Sequence, residues 1–309
     1  MTSARPWALL AAGAIALAGS LQARSDVGDV VADGTASRID SGSSSRETRR
    51  RAVAALPLER IMEPQRRAVD ACVRSATLYR RLPVETVVCD ADLLDFALQK
   101  PETIVDMWRV LGISRLSLDP TAAGQWRLSD GYGTVGVLRL VHREQQGLSG
   151  LLVFHGRGAY TGPLSPRNLT GSCVLLVRHG PAMPAVDGRQ RQTIQIDSFV
   201  DMDGVGLEIV TRTLQPLIVR SAAANFHEIC LFVSTLSESA RSNPEGVAQL
   251  AGRLPQTTPA DRQALATIAR RAAQPGLRAG VDVASADRLQ TELAARWLSA
   301  EDLDRLQRK

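Results

Sequence analysis

Apolar positions recur at helical spacing in the first part of the chain. Residues 65–81 carry apolar side chains every three or four positions, opposite charged ones, which predicts an amphipathic helix. The apolar run 84–89 predicts a strand, and Asp90 is placed to cap a short helix after it. Residues 101–112 predict a further helix, because a proline occupies its first turn and a glycine its stop.

Between residues 114 and 214 the pattern changes to the alternation of apolar and polar residues that is typical of half-buried strands. The pair Asp203-Gly204 predicts a hairpin turn between the last two strands. The six predicted strands are residues 114–128 with an interruption, 134–144, 148–158, 170–180, 191–202 and 205–214.

Helical spacing returns after Pro216 and gives residues 221–242 a wide apolar face that ends at Asn243-Pro244. We expect this helix to lie on the sheet. The segments that follow are a helix capped at Thr258, a Gly/Pro linker over 275–280, and a last helical region with Leu289, Leu293 and Trp297 that restarts near Ser299.

The beginning of the chain has a different character. An uncharged stretch rich in Ala and Leu follows Arg5, which is the layout of a signal peptide, cleaved or retained as an anchor, so we expect export to the periplasm or beyond. No later segment is apolar enough to span a membrane. The predicted units are a signal peptide (1–23), a disordered linker (24–51), an N-terminal helical segment (52–83), an α+β core domain (84–254) and a C-terminal helical extension (255–309).

The formal net charge of +5 comes almost wholly from arginine, since Lys100 and Lys309 are the only lysines. A bias of this kind also follows from genome base composition. We therefore expect no nucleic-acid partner from charge alone.

Four cysteines in an exported chain permit two disulfides in three pairings, or they stay as buried free thiols. Of the pairings we favour Cys72 with Cys89 and Cys173 with Cys230, because the second pair would tie a strand to a helix.

Residues 84–243 thus give a strand, two short helices, a six-stranded meander and one long helix. This order resembles the helix-grip fold of START-related ligand-binding proteins, in which a curved antiparallel sheet wraps a long helix around an apolar cavity. The segments 90–99 and 101–108 are similar to that family's helix pair ending in Trp. The expected fold class is α+β, with a curved antiparallel sheet of about six to seven strands on a long C-terminal helix and extra flanking helices. The chain also looks like a group of uncharacterised exported proteins from planctomycete-type bacteria, through residues 101–112, 171–180 and 213–232.

The resemblance implies that an apolar or amphipathic small molecule binds between the sheet and the 221–242 helix, with no cofactor and no metal. The apolar face of this helix and the tryptophan of the helix pair would form the site. The candidate ligand-binding residues are Trp108, Phe226, His227, Ile229, Cys230 and Val233.

Several strings look catalytic but lack the context that the chemistry needs. The glycines of Gly131-Tyr-Gly133-Thr-Val-Gly136 precede a strand, whereas a dinucleotide site needs a helix there. Arg178-His179-Gly180 resembles the signature of histidine phosphatases, but it lies past the midpoint of the domain and only His227 follows it.

The sequence does not support a metal site either. Counting along the predicted hairpins places His142 roughly 17 Å from His155, and His155 roughly 13 Å from His179, too far for one ion. A calcium loop that begins at Asp201 needs ligands spread over a longer stretch than this segment provides.

Three functions remain open. The favoured one is an exported, non-enzymatic module that binds a small apolar molecule. The alternatives are a structural or protein-interaction component of the cell envelope, with Trp297 in its docking surface, and a hydrolase that uses Arg178 and His179. An enclosed apolar pocket in the structure would favour the first.

Overall fold

A computed structural model describes residues 42–161, 169–185, 188–203, 207–273 and 286–308, without the side chains of 207–221, 303 and 306–308. These residues form an α+β fold with an open, curved antiparallel sheet packed on helices, as the sequence predicts, and the sheet has eight strands where about six to seven were expected. The elements are α1 (Arg46–Ala54), a 3₁₀ turn (Leu58–Arg60), α2 (Gln65–Ser75), β1 (Leu78–Arg81), β2 (Glu85–Val88), α3 (Ala91–Gln99), α4 (Pro101–Val110), β3 (Ser117–Ala122), β4 (Gln125–Ser129), β5 (Thr134–Gln146), β6 (Ser149–Tyr160), β7 (Leu169–Pro181), β8 (Arg191–Asp203), α5 (Leu207–Ser242), α6 (Pro244–Gly252), α7 (Pro259–Ala272), α8 (Ala286–Ala294) and α9 (Ala300–Arg308).

The strands pair in the order β1-β8-β7-β6-β5-β4-β3, with antiparallel neighbours throughout. β2 also pairs with β8, so β1 and β2 follow one another along the same edge. Between them, the backbone N–H of Leu82 donates to the carbonyl of Ile196 at 2.8 Å, and Pro83, which has no N–H, follows before β2 begins. At the opposite edge, β3 carries Pro120 next to a shift in register.

The sheet buries both of its faces. The inner face, with Leu152, Leu175 and Val200, belongs to a large apolar cluster that also holds α3, α4 and α5. The outer face, with Val153 and Phe199, is covered by α1, α2 and the 3₁₀ turn. The inner cluster extends without a break into the C-terminal helices through Leu250, Leu254, Leu265, Leu289, Leu293 and Trp297. The helices beyond residue 254 therefore share the core of the sheet.

Two predictions at the N-terminal side are wrong. The helix predicted over 65–81 ends at Ser75, and residues 78–81 form β1, because the open edge of β8 offers their backbone a strand partner. The linker predicted over 24–51 is helical from Arg46, where Ser45 Oγ accepts the N–H of Thr48 at 3.1 Å. Residues 1–41, with the predicted signal peptide, lie outside the described residues.

The strand predicted over 205–214 is also wrong. Residues 207–214 form the first turns of α5 instead. The segment is rich in β-branched residues, which favour strands locally, but tertiary context overrides such preferences. Gly204, in the predicted hairpin turn, and the predicted linker 275–280 lie outside the described residues.

The remaining predicted elements are confirmed, and the largest change is in the helix predicted over 221–242, which begins at Leu207. α4 begins at Pro101, and Gly112 after it has the positive φ of 71° that favours glycine. Thr258 and Ser299 cap α7 and α9, since their hydroxyls accept the N–H groups of Asp261 and Asp302 at 3.1 Å. Among the described residues, no helix combines the length and the apolar character that crossing a membrane requires.

Candidate ligand-binding cavity

An apolar cavity of about 140 Å³ lies between the inner face of the sheet, the α3–α4 pair and α5. The sheet and all three helices contribute to its walls, and none of the lining side chains that the structure describes is charged. On the sheet side the wall includes Phe154, Leu175, Val177, Ile194 and Ile196, and on the helix side it includes Leu94, Leu98, Ile104, Trp108, Phe226 and Val233.

Simple periodicity brings these residues together. Alternate residues of β6, β7 and β8 point to the inner face, so Phe154, Leu175 and Ile194 present one apolar surface. On α5, Phe226, Ile229, Cys230 and Val233 follow the i, i+3, i+4, i+7 spacing of a single helical face.

Five of the six predicted site residues line the cavity: Trp108, Phe226, Ile229, Cys230 and Val233. His227 does not, because it projects from α5 toward the sheet edge. Its Nδ1 lies 3.2 Å from both carboxylate oxygens of Glu85 on β2. The hydrogen bond to Glu85 raises the pKa of His227 above its usual value.

Sequence reasoning missed the walls that α3 and the strands provide. Leu94, Ala97 and Leu98 lie on the apolar face of α3, and the alternation of β6 and β7 marked their inward residues. These patterns predict which faces of the helix and strands are buried, but they do not predict which of these faces enclose the cavity.

An aromatic cluster backs the cavity. The rings of Trp108 and Phe232 meet edge to face, with centroids 5.8 Å apart and an interplanar angle of 84°. Phe232 in turn packs on Trp297, with centroids 5.3 Å apart. Trp297 is buried, so the prediction that it contributes to an exposed docking surface is wrong.

Arg178 and His179 do not form one site. Arg178 lies on the outer face and pairs with Asp197, which is fully buried and also accepts hydrogen bonds from Tyr79 Oη at 2.6 Å and from Arg81 Nε at 2.8 Å. His179 faces the other side of the sheet, where burial lowers its pKa. A phosphate ester could not reach both side chains at once, because the sheet separates them.

The glycine string has a structural role. Gly131 and Gly133 have φ of 76° and 109° in the turn between β4 and β5. The Tyr132 hydroxyl between them donates to Asp304 Oδ1 at 2.8 Å, and the same carboxylate pairs with Arg115. This loop therefore anchors α9 to the sheet.

All four cysteines are free and buried, which is the second of the two alternatives that the sequence left open, and neither of the favoured pairs is formed. Cys72 packs on the outer face and Cys89 in the inner cluster, so the sheet layer lies between them. Burial raises the pKa of Cys72 to about 11 and that of Cys89 to about 12, which makes both thiols poor nucleophiles.

The histidines of the strands lie at separate positions in the register. His142 is opposite Val153, and His155 is opposite Arg139. Over the part of the chain that the structure describes, no group of three or more His, Cys, Asp or Glu side chains is arranged to hold a metal ion.

Comparisons with known proteins find no matching family model and no matching curated protein. Two solved structures are similar to part of the chain, and each alignment covers 48% of it. One is an uncharacterized protein from Rhizobium leguminosarum, with 10% identity, a TM-score of 0.27 and 95% of its own length covered. The other is the Mll3558 protein from Rhizobium loti, with 20% identity, a TM-score of 0.26 and 97% of its length covered. The resemblances to START-related proteins and to planctomycete-type proteins stay predictions.

Proposed function

We propose that this protein is an exported binding protein that takes up a small, neutral, apolar molecule between the sheet and α5. The observation that carries the proposal is the cavity of about 140 Å³, whose described lining is almost wholly apolar. Close-packed interiors leave few voids larger than a water molecule, so a space of this size needs an explanation. Binding is also the role that the START-related resemblance implies.

The volume limits what can bind. An apolar cavity of roughly 150 Å³ stays dry and accepts a benzene-sized molecule. A chain lipid would require the walls to separate, whereas a single six-membered ring fits the space as it is. The ligand class that we propose is therefore a monocyclic hydrocarbon or a molecule of similar size.

The lining also selects against charge. Ionised groups are costly to bury where no partner compensates their charge, and none of the described lining side chains is charged. At about 0.7 kcal/mol per non-hydrogen atom, a ligand of about seven atoms gains about 5 kcal/mol, which corresponds to a Kd of about 0.2 mM.

Titration of the full chain with toluene tests the proposal, with chemical shifts of cavity methyl groups and the melting temperature as readouts. We expect saturable shifts at Ile104, Leu175 and Val233, and a rise in melting temperature with ligand concentration. Absence of saturable shifts at concentrations near the solubility of toluene would refute the proposal.

A pair of matched variants links binding to the cavity. Cys230→Leu adds volume where space exists, so it is expected to weaken toluene binding at least tenfold while stability is kept or raised. Cys173→Leu makes the same change outside this cavity, opposite Gly156, and is expected to lower stability because the site is already filled. Equal toluene affinity in Cys230→Leu and the unmodified protein would place binding elsewhere.

A further inference from the structure

Two arginines and a histidine come together on the outer face of the sheet, which is the face opposite the cavity. Val174 of β7 packs in the outer cluster under α2. His155 of β6 is the cross-strand partner of Val174, and Arg139 of β5 is the partner of His155. Directly opposite residues of an antiparallel pair lie about 5 Å apart on one face, so these two side chains are neighbours at the margin of the helical cover. Arg157 follows His155 on the same strand and, two positions on, lies on the same face.

His155 is covered, but its ring is not sealed from solvent. The residue is 7% exposed, and its imidazole forms no hydrogen bond with the described residues, although side chains so deeply buried normally have hydrogen-bond partners. Nε2 of His142 and Nε2 of His179 are both buried and unpaired, whereas neither nitrogen of His155 is in that state. Because the His155 nitrogens have no partner there, they are the part of the ring that solvent reaches. A small ligand can therefore approach this ring at its polar edge.

The charges that act on this ring are positive. Burial and the guanidinium groups of Arg139 and Arg157 lower the pKa of His155 to about 4, so at pH 7 the imidazole is neutral and carries one N–H donor. Arg157 pairs with Asp203 at 3.0 Å, but the Arg157 side chain is 62% exposed, so this ion pair is weak.

Arg139 keeps its charge uncompensated. Its Nε donates to the amide oxygen of Gln125 at 2.8 Å, and an amide carries no net charge. Among the described residues, no carboxylate forms an ion pair with Arg139. A guanidinium has five N–H donors in one plane, so most of those on Arg139 remain available to a ligand.

From this arrangement we infer that Arg139 and His155 form a binding site for a phosphate group, on the other side of the sheet from the apolar cavity and independent of it. The guanidinium binds two oxygens of a tetrahedral oxyanion through parallel hydrogen bonds. A third oxygen then accepts the N–H of the His155 imidazole, and Arg157 adds a second positive charge beside them. A carboxylate fits less well, because the guanidinium alone occupies both of its oxygens.

Inorganic phosphate tests the site in the unmodified full chain. Phosphate replaces chloride at constant ionic strength, so that general screening stays the same, and the imidazole resonances are followed by NMR. Of the four histidines in the chain, we expect His155 alone to show a saturable shift. No saturable shift, or similar shifts at all four histidines, would indicate an adventitious ion only and would overturn the inference.

Arg139→Gln and Arg127→Gln are a matched pair of variants. Each removes one guanidinium from the outer face, but Arg127 lies on β4 opposite Asp119, two strands away from His155. We expect Arg139→Gln to weaken phosphate binding at least tenfold, because charge-assisted hydrogen bonds are lost, and Arg127→Gln to change it by less than about twofold. Equal losses in the two variants would show that only the overall charge of the face attracts phosphate, which would overturn the site.

A second measurement needs no variant, so it holds even where Arg139→Gln fails to fold. Sulfate has the same tetrahedral shape and stays a dianion while the imidazole titrates. A bound anion favours the charged imidazole, so sulfate should raise the pKa of His155 from about 4 toward its ordinary value. At constant ionic strength the pKa of His227, on the other face, should not change. An unchanged pKa of His155 would contradict contact between the anion and its ring.

A free ion and a lipid headgroup both carry the phosphate group, and vesicles distinguish these two sources. The protein is sedimented with vesicles of phosphatidylglycerol in phosphate-free buffer. Sedimentation that Arg139→Gln abolishes and Arg127→Gln retains would assign the site to a lipid headgroup. A saturable shift of His155 with inorganic phosphate, without sedimentation, would assign it to the free ion. If the protein neither sediments nor responds to phosphate, the inference is wrong.

Discussion

The imidazole of His227 lies 3.2 Å from both carboxylate oxygens of Glu85, and this pair joins α5 to the edge strand β2. Glu85 is paired with Ile194, which lines the cavity. On α5, His227 is followed by Ile229 and Cys230, which also line it. The contact therefore fastens the helix to the sheet at the margin of the cavity. The groups that face His227 here are Glu85 and Glu228, and both favour its charged form.

The first prediction concerns pH. The pKa of His227 is raised in the folded protein, chiefly by the hydrogen bond to Glu85, so the pair stabilises the fold fully below the unfolded pKa of about 6.5. That stability is lost as the pH rises through the folded pKa. Because the His227 side chain is 41% exposed, we expect at most about 1 kcal/mol.

The measurement is the difference in free energy of urea unfolding between the unmodified protein and His227→Gln, from about pH 6 to about pH 9. The difference should shrink as the pH rises, and Glu85→Gln should reproduce it. A difference that is the same at both ends of the range would contradict the assignment.

A second prediction concerns the close approach of β6 and β7. A Cβ added at Gly156 would lie 2.7 Å from the sulfur of Cys173 on the neighbouring strand. Gly156→Ala is therefore expected to cost about 1–3 kcal/mol of stability. Combining it with Cys173→Ala removes the sulfur and should recover at least about 1 kcal/mol of that loss.

Denaturant melts of the two single variants and the double variant measure this coupling. Gly252→Ala is the control, because nothing lies within 4 Å of the added atom and the residue closes a helix, so stability should hold or rise slightly. Additive losses in the double variant would show that the two positions do not compete for space.

The third prediction concerns the cysteines. Since all four thiols are free and buried, none should react with a water-soluble disulfide reagent at about pH 8 in the native protein. All four should react in denaturant without prior reduction. Fewer than four reactive thiols in denaturant would indicate a disulfide and contradict the structure.

Prediction from the sequence succeeded where one local pattern determined the element. The spacing on α5 selected the residues that face the sheet, and the proline and glycine around α4 marked its ends. Trp108 entered the site prediction through the resemblance of its helix pair, and it lies in the cavity wall.

Prediction failed where a distant partner decided the outcome. β1 forms because β8, more than a hundred residues later, offers it a ladder, and nothing in residues 78–81 encodes that edge. The same holds for Asp197, whose partners Tyr79 and Arg81 precede it by 118 and 116 residues. His227 follows Phe226 on α5, so the sequence pattern placed it near the cavity face. Its side chain instead contacts Glu85 on β2, a partner that the local pattern does not reveal.

The prolines at the two margins of the sheet have a consequence for neighbouring molecules. Strand addition between chains needs a continuous row of free amide donors along an outer strand. Pro83 breaks that row on the side of β1 and β2, and Pro120, with its register shift, breaks it on the side of β3. We therefore expect the two prolines to disfavour the addition of strands from neighbouring copies to this open sheet.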